Sequence, residues 1–431
     1  MLDIQFIRDN TKIVKDAAAA KNVAVDIDKL LELDHTRRSL QQDVEKLRKA
    51  RNETAAQMKN GQPSPELIAE GKRIKETLGE LEAQLDPVET EYGQILLQVP
   101  NIMEDDVPLG STEGDNRVLE TVGQVPEFSF TPKSDAELGS EKDLIDKERA
   151  AKISGSRFAY LKNDLVLLQF ALINFVIQSL SDEEIIKTII AENNLSVNAK
   201  PFTPILPPQL IKTAPYEASA RLNSDEVTYK LADDDLWLNA SAEHSLCTMF
   251  MGETLPADEL PLRYLGYATS FRREAGTYGK DTEGIFRMHQ FDKLEMESFT
   301  TAEESRAEHD FMVAIQKWLV DQLGLPYQVV LKCSADVGKP NRRGVDIETW
   351  MPAQGAYRET HTADYIGDYQ TRRLKITTKR GDKNELVHTN DATAFAMSRI
   401  LKAILENNQQ EDGSIKVPAV LQPFMGGKTQ F

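Results

Sequence analysis

Apolar positions in the first hundred residues repeat at spacings of three and four. They form two runs, over residues 30–54 and 67–95, and this spacing is typical of a coiled-coil seam. The segment between the runs, Asn60-Gly-Gln-Pro-Ser-Pro65, contains residues that interrupt helices. The pattern predicts an arm of two antiparallel helices that is roughly 45 Å long at about 1.5 Å per residue. Pro87 should kink the second helix.

Basic residues concentrate on the first arm helix and near the tip, whereas the base of the second helix is acidic. The candidates for binding a phosphate backbone are Arg37, Arg38, Lys46, Arg48, Lys49, Arg51, Lys72 and Arg73. A solvated coiled-coil face with ion pairs between the helices is the alternative interpretation. The whole chain of 431 residues carries a net charge of −18. That charge alone would argue against a nucleic-acid partner, so the local distribution has to decide.

The rest of the chain mixes helical and strand-like patterns. Extended turns are predicted over 99–110, and helices near 140–153, 165–195 and 392–407. Strands are predicted over 328–333 and 344–350. These elements predict an α+β body with a largely antiparallel sheet.

The composition argues against several classes of protein. Cys247 and Cys333 lack CxxC spacing, so neither a disulfide framework nor a Cys-rich zinc site is expected. The first ten residues include acidic side chains and resemble no signal peptide. No stretch reaches the roughly 18 apolar residues that a membrane-spanning helix needs. We therefore expect a cytoplasmic protein without a membrane partner.

The densest chemical pattern lies at residues 270–295, which read SFRREAGTYGKDTEGIFRMHQFDKLE. Two strand-like segments flank a glycine-rich loop, with Arg272 and Glu274 on one face of the first and Arg287, Phe291 and Glu295 on the second. Arginine can bind phosphate or carboxylate through two nitrogens, and an aromatic ring can stack on a base. A structural hairpin with surface ion pairs is the alternative. GxGxxG, GxSxG and a complete phosphate loop are absent from the sequence.

This stretch resembles motif 2 of class II aminoacyl-tRNA synthetases, specifically of the seryl-tRNA synthetase family. The resemblance covers nearly the whole chain, including the opening LDIQFIRDN, the arm, VPNIMEDDVPLG and the closing VPAVLQPFMGG. Residues 202–210, FTPILPPQL, are similar to motif 1. The combination of motif 2 with the arm is specific, because other class II enzymes lack this arm.

The resemblance implies an α+β fold in which an antiparallel two-helix coiled-coil arm precedes a class II domain, whose mostly antiparallel sheet is flanked by helices. It implies a tRNA-binding domain at 1–105 and a catalytic domain at 106–431. The implied reaction uses ATP and Mg²⁺ to convert L-serine to seryl-adenylate. Transfer to the 3′ end of serine tRNA follows, and selenocysteine tRNA is an expected second acceptor. The resemblance also implies a homodimer formed around Pro207 and Pro208.

The resemblance also assigns roles to individual residues. Arg272 and Arg399 would be catalytic. ATP would be bound by Arg272, Glu274, Arg287, Met288, Phe291, Glu359, Thr362 and Arg399. Glu359 and Thr362 would supply oxygen ligands to Mg²⁺. The serine pocket would contain Ser241, Glu243, Arg272, Glu295, Asp391 and Thr393. There, carboxylates would bind the ammonium, and Thr393 with Glu295 would recognise the hydroxyl.

Three segments depart from the family's pattern. Ser241-Ala-Glu243 stands where Thr-Ala-Glu is usual, and His361-Thr-Ala-Asp-Tyr365 where Ser-Ser-Cys-Ser-Asn is usual. Asp391-Ala-Thr393 replaces Asn-Gly-Ser, which adds a negative charge beside the pocket. Two alternative functions therefore stay open. One is a catalytically altered paralogue that acts as a tRNA- or partner-binding module, and the other is an aminoacyl ligase for a different acceptor.

Overall fold

The computed structural model describes residues 1–59, 64–222, 228–274 and 283–431. They divide into two compact units, Met1–Ile102 and Met103–Phe431. The first unit contains the helices α1 (Ile4–Asp9), α2 (Thr11–Ala20), α3 (Ile27–Met58) and α4 (Pro65–Gln98). Most of the predicted turn at 60–65 lies outside the described residues.

Helices α3 and α4 form the predicted antiparallel arm. Arg48 contacts Glu82 at 2.7 Å and Gln41 contacts Glu89 at 2.6 Å, so partners further along α3 lie earlier on α4. The apolar seam between the helices consists of Leu40, Val44, Leu47, Leu78, Leu81 and Leu85. Helix α4 runs without a break through Pro87. The heptad pattern therefore identified both the helices and the face that each buries.

The second unit is built around an eight-stranded sheet. The strands of this unit are β1 (Arg117–Val122), β2 (Ile145–Asp146), β3 (Tyr160–Leu161), β4 (Thr203–Ile205), β5 (Leu210–Ile211), β6 (Trp237–Leu238), β7 (Thr254–Pro256), β8 (Leu262–Phe271), β9 (Gln290–Thr300), β10 (Tyr327–Leu331), β11 (Arg343–Met351), β12 (Ala356–Gly367), β13 (Thr377–Arg380), β14 (Lys383–Leu386) and β15 (His388–Ala396). The central sheet has the order β1-β10-β11-β12-β15-β9-β8-β4. Its edge pair β4–β8 is parallel and its other pairs are antiparallel. The expected mostly antiparallel sheet is confirmed.

Helices flank this sheet. They are α5 (Asp135–Glu141), α6 (Lys147–Ser154), α7 (Asp164–Leu180), α8 (Glu183–Glu192), α9 (Thr213–Ala218), α10 (Ala242–Leu246), α11 (Ser305–Gln322), α12 (Tyr369–Leu374) and α13 (Met397–Asn407). The main apolar core joins α7, α11 and α13 to β9, β10 and β11. In the described ranges no single helix is long and apolar enough to cross a membrane. The bent pair α7 and α8 reaches that length and composition only when the two are taken together.

The helix boundaries differ from the sequence prediction at three places. The predicted helix at 392–407 is wrong in its first part, because residues up to Ala396 belong to β15 and α13 begins at Met397. The helix predicted over 165–195 is two helices, and the Asp182 side chain accepts from the backbone N–H groups that begin α8. The helical region at 140–153 contains the end of α5, the strand β2 and most of α6.

Candidate active site

One cleft of about 330 Å³ brings most of the predicted site together. The predicted residues that line it are Ser241, Glu243, Arg272, Glu274, Arg287, Met288, Phe291, Glu359, Thr362, Asp391, Thr393 and Arg399. Glu295 is fully buried beneath them. These side chains come from α10, β9, β12, β15, α13 and the segments that flank α10, β8 and β9. Residues more than 150 positions apart thus share one surface.

The motif 2 arginine lies where β8 ends. The Arg272 Nε atom donates to the Ala240 carbonyl at 3.1 Å, and its guanidinium lies 5.3 Å from the centre of the Phe291 ring. Arg287 and Glu274 form an ion pair in the same hairpin, with an N–O distance of 2.6 Å. The glycine-rich loop expected between these strands falls largely at 275–282, outside the described residues. The arginine is therefore fixed by a carbonyl and a ring before any ligand binds.

A second arginine reaches the cleft from α13. Arg399 Nη1 lies 2.8 Å from a carboxylate oxygen of Glu359, and its guanidinium lies 5.1 Å from the Phe286 ring centre. Burial alone would raise the pKa of Glu359, but the charges of Arg399 and Lys332 lower it to about 2. Glu359 is thus a carboxylate at neutral pH. Sequence reasoning missed the ring of Phe286, although Phe286 directly precedes the selected Arg287.

The hydroxyl-reading pair, Thr393 and Glu295, was predicted to recognise the serine hydroxyl, and its two residues lie on neighbouring strands. Thr393 and Glu295 are opposite each other in the β15–β9 ladder, and the Thr393 hydroxyl donates to Glu295 Oε1 at 3.4 Å. The Ser241 hydroxyl lies 3.2 Å from Glu295 Oε2. Lys293 also forms an ion pair with Glu295, and it was missed although it lies two residues away on the same strand face. Burial raises the pKa of Glu295.

Two other predicted carboxylates are held by an arginine that sequence reasoning missed. Arg221 Nε lies 2.5 Å from Glu243 Oε1, and Arg221 Nη2 lies 3.2 Å from Asp391 Oδ1. Asp364 is 3.6 Å from the same Nη2. Arg221 precedes Asp391 by 170 positions, so local spacing could not pair them. The added negative charge of Asp391 therefore lies against a cation.

A glutamine behind the cleft connects its two halves. The Gln316 amide nitrogen, on α11, donates to the carbonyl of Thr362 at 2.8 Å and to that of Thr393 at 2.9 Å. Gln316 is completely buried. Gln316 therefore links β12, which carries the proposed metal ligand Thr362, to β15, which carries Thr393. No sequence motif indicated this contact.

The eight basic candidates of the arm belong to the first unit. Arg37 is half-buried, pairs with Asp34 at 3.2 Å and stacks on Tyr92 at 4.4 Å. The exposed candidates are Arg38, Lys46, Arg48, Lys49, Arg51, Lys72 and Arg73. Lys46, Arg48, Lys72 and Arg73 have carboxylates within 4 Å on the arm itself. The ion-pair interpretation therefore applies to these four side chains, and the basic-strip interpretation stays a prediction.

The chain matches two family models and several known proteins. Residues 228–408 match the model of the tRNA synthetase class II core domain (G, H, P, S and T), which defines the class of the catalytic body. Residues 1–103 match the seryl-tRNA synthetase N-terminal domain. The serine–tRNA ligase of Nitrosopumilus maritimus is 34% identical, covering 100% of both chains. That of Deinococcus radiodurans is 38% identical, covering 99% of this chain and 98% of the relative.

Two solved structures of seryl-tRNA synthetases also match the chain over its whole length. The seryl-tRNA synthetase of Pyrococcus horikoshii complexed with ATP superposes with a TM-score of 0.86 at 35% identity, over 100% of this chain and 99% of that one. The cytoplasmic serine–tRNA ligase of Naegleria fowleri in complex with AMP gives 0.83 at 28% identity, over 100% and 98%. The chain belongs to the seryl-tRNA synthetase family.

Proposed function

We propose that this protein is an ATP-dependent serine–tRNA ligase. It activates L-serine as seryl-adenylate and transfers the seryl group to the 3′ end of serine tRNA. The observation that carries the proposal is the single cleft in which Arg272 and Arg399 face the hydroxyl-reading pair of Thr393 and Glu295. That cleft joins groups suited to a triphosphate with groups suited to a small hydroxylated amino acid. Selenocysteine tRNA is a second acceptor to test in the same charging assay.

In the activation step a serine carboxylate oxygen bonds to the α-phosphorus of ATP, while the bond from that phosphorus to the oxygen bridging the β-phosphate breaks and pyrophosphate leaves. Arg272 neutralises the negative charge shared by the carboxylate and the α-phosphate. The Ala240 carbonyl and the Phe291 ring orient its guanidinium. Phe291 stacks on the adenine with Met288 beside it, Glu274 meets the adenine edge, and Arg287 reaches the γ-phosphate. Arg399 neutralises the phosphates from the opposite side.

The proposed Mg²⁺ site fits the side chains present. Glu359 is ionised, with a pKa of about 2, and the buried Thr362 Oγ1 has no hydrogen-bond partner among the described residues. Mg²⁺ prefers such hard oxygen ligands and commonly binds through one or two side chains together with substrate phosphates. When bound, the ion would neutralise phosphate charge. Glu359 also pairs with Arg399 at 2.8 Å, so this one carboxylate would hold both the arginine and the ion.

Replacing Thr393 by valine is expected to raise the KM for serine about 10-fold to 10²-fold and to reduce discrimination against alanine. The variant keeps the shape of the side chain but removes the hydroxyl that donates to Glu295 Oε1 at 3.4 Å. Thr378→Val is the matched control, because that buried hydroxyl donates to the Leu255 carbonyl on the three-stranded sheet β14-β13-β7. Unchanged serine and alanine kinetics in Thr393→Val would contradict the assignment.

We propose a homodimer that covers the surface following β4. This strand forms one edge of the central sheet, and Pro207 and Pro208 follow it. Large apolar side chains are exposed here and on α7, with Leu206 78% and Phe170 53% exposed. Exposed apolar surface of this kind is typical of protein–protein contacts.

Leu206→Asp is expected to shift the protein from dimer to monomer in sedimentation velocity, because it places a charge in an apolar contact. Leu109→Asp is the matched control, since Leu109 is also 78% exposed but lies far along the chain from the motif 1 segment. If the two variants showed the same distribution of dimer and monomer, this surface would not be the interface.

The proposed activity is tested by ATP–pyrophosphate exchange with serine, threonine, alanine and glycine in parallel. We expect serine to support the highest kcat/KM, because threonine adds a methyl group and the other two lack the hydroxyl that Thr393 and Glu295 recognise. Charging of serine tRNA is then measured with the same preparation. Absence of serine-dependent exchange would refute the proposed activity and favour a binding module. Exchange without tRNA charging would favour a different acceptor.

A further inference from the structure

A buried arginine lies at the centre of a cluster of carboxylates in the amino acid pocket. Only 14% of the Arg221 side chain is exposed, and its guanidinium contacts Glu243, Asp391 and Asp364 at 2.5, 3.2 and 3.6 Å. Burial would lower the pKa of Arg221, but these three charges raise it well above its usual value. Arg221 is therefore a permanent cation in a site that otherwise collects negative charge.

Within the part of the chain that the structure describes, the hydrogen bonds to the Glu243 carboxylate fall on one oxygen. Arg221 Nε and the Gln370 amide nitrogen both donate to Oε1, at 2.5 and 3.1 Å. The ring nitrogen Nε2 of His244 lies 3.9 Å from the other oxygen, Oε2, which is beyond hydrogen-bond distance. The Glu243 carboxylate is thus anchored through one oxygen, and its second oxygen is oriented by that anchor.

Asp391 lines the cleft, as expected from its place in the predicted serine pocket, and it pairs with Arg221. Its side chain is only 3% exposed and contacts Arg221, and in the strand ladders Asp391 lies opposite Asp364 and Glu297. Burial and the surrounding carboxylates raise the pKa of both Asp391 and Glu297, although the charge of Arg221 acts to lower it. An unpaired Asp391 in this place would be costly. Arg221 therefore supplies a hydrogen-bond partner for this buried carboxyl group.

We propose that Arg221 is a positioning residue for amino acid binding, which anchors Glu243 through Oε1 so that Oε2 receives the α-ammonium group of the substrate. Asp391 accepts a hydrogen bond from Arg221 Nη2 and does not contact the substrate. This inference rests on the proposed function and deepens it, because it names a residue that shapes the expected ammonium subsite. The substrate class is a small amino acid with a free α-ammonium group.

The inference predicts a selective effect on serine binding. Arg221→Met is expected to raise the KM for serine roughly 10²-fold in ATP–pyrophosphate exchange, with the KM for ATP changed less than about twofold. The reason is that Glu243 and Asp391 lose their shared cation, so they take up protons or rotate away from their present positions. Adding Asp391→Asn to Arg221→Gln is expected to restore the KM for serine to within about fivefold of wild type, because a neutral amide pair replaces the ion pair.

Arg343→Met is the matched control for loss of a buried arginine. Arg343 is 8% exposed and pairs with Asp106 at 2.9 Å and Asp310 at 3.5 Å. It does not line the cleft, so its loss should lower the melting temperature without changing the KM for serine. A merely structural role for Arg221 would produce the same result as this control.

The outcomes distinguish a failure of the proposed function from a failure of the role assigned to Arg221. Absence of exchange in the wild-type protein would refute the proposed function. An active wild type together with an unchanged serine KM in Arg221→Met, or an equal rise in the KM values for serine and ATP, would overturn the role of Arg221. If Arg221→Met does not fold, Arg221→Gln with and without Asp391→Asn decides the question. Rescue supports the role, and equal serine KM values in the two variants overturn it.

Discussion

Arg272→Ala is expected to lower serine-dependent ATP–pyrophosphate exchange by about 10²–10³-fold while the protein stays folded. Removing one preorganised group that stabilises developing charge typically has an effect of about this size. Arg272 is preorganised in this sense, because the Ala240 carbonyl and the Phe291 ring hold its guanidinium in the cleft. The loss should fall on the chemical step, which single-turnover formation of seryl-adenylate measures directly.

Arg342→Ala provides a closely matched control for that experiment. Its guanidinium also lies 5.3 Å from the centre of an aromatic ring, that of Tyr365, but it pairs with Glu104 and does not line the cleft. Arg272→Lys adds a second comparison, since it keeps the charge and loses the planar pair of donors. We expect near-normal exchange for the first variant and an intermediate rate for the second. Wild-type exchange in Arg272→Ala would refute its catalytic role.

Sequence patterns predicted the arm and the sheet because both depend on local spacing. The seam of α3 and α4 is periodic, and Val44 and Leu78 are buried where the heptads place them. The boundary at Ala396 was missed because the run ATAFA has only one polar residue, Thr393. β15 is a central strand that is buried on both faces, so the run shows no alternation to separate it from a helix.

Prediction of the site residues also depended on local spacing in the sequence. Arg272, Arg287 and Phe291 could be selected together because they belong to one hairpin and form one continuous motif. Arg221 and Gln316 could not, since their partners come from strands far away in the sequence. Asp391 shows the consequence. Considered alone it adds a charge to the pocket, whereas the folded chain places it against Arg221.

The net charge of −18 likewise says little about a polyanionic partner, because the arm presents its own local charge. We propose that residues 1–105 bind tRNA and that residues 106–431 carry catalysis. Arg38, Lys49 and Arg51 are exposed on α3 and form no ion pair with the described residues. They are therefore available to neutralise phosphates. Arg37 stacks on Tyr92 within the arm, and its contact with tRNA stays a prediction.

Reversing these three charges in Arg38→Glu, Lys49→Glu and Arg51→Glu is expected to lower kcat/KM for tRNA charging roughly 10²-fold and to leave ATP–pyrophosphate exchange unchanged. The slope of log affinity against log salt should become shallower by about 2–3, since each lost phosphate contact contributes about 0.7–0.9. The matched control exchanges lysine and arginine at the same positions and should retain charging, because the charge is kept. Equal loss of exchange and charging would contradict this division of roles, and unchanged charging would show that these side chains form only a solvated face of the arm.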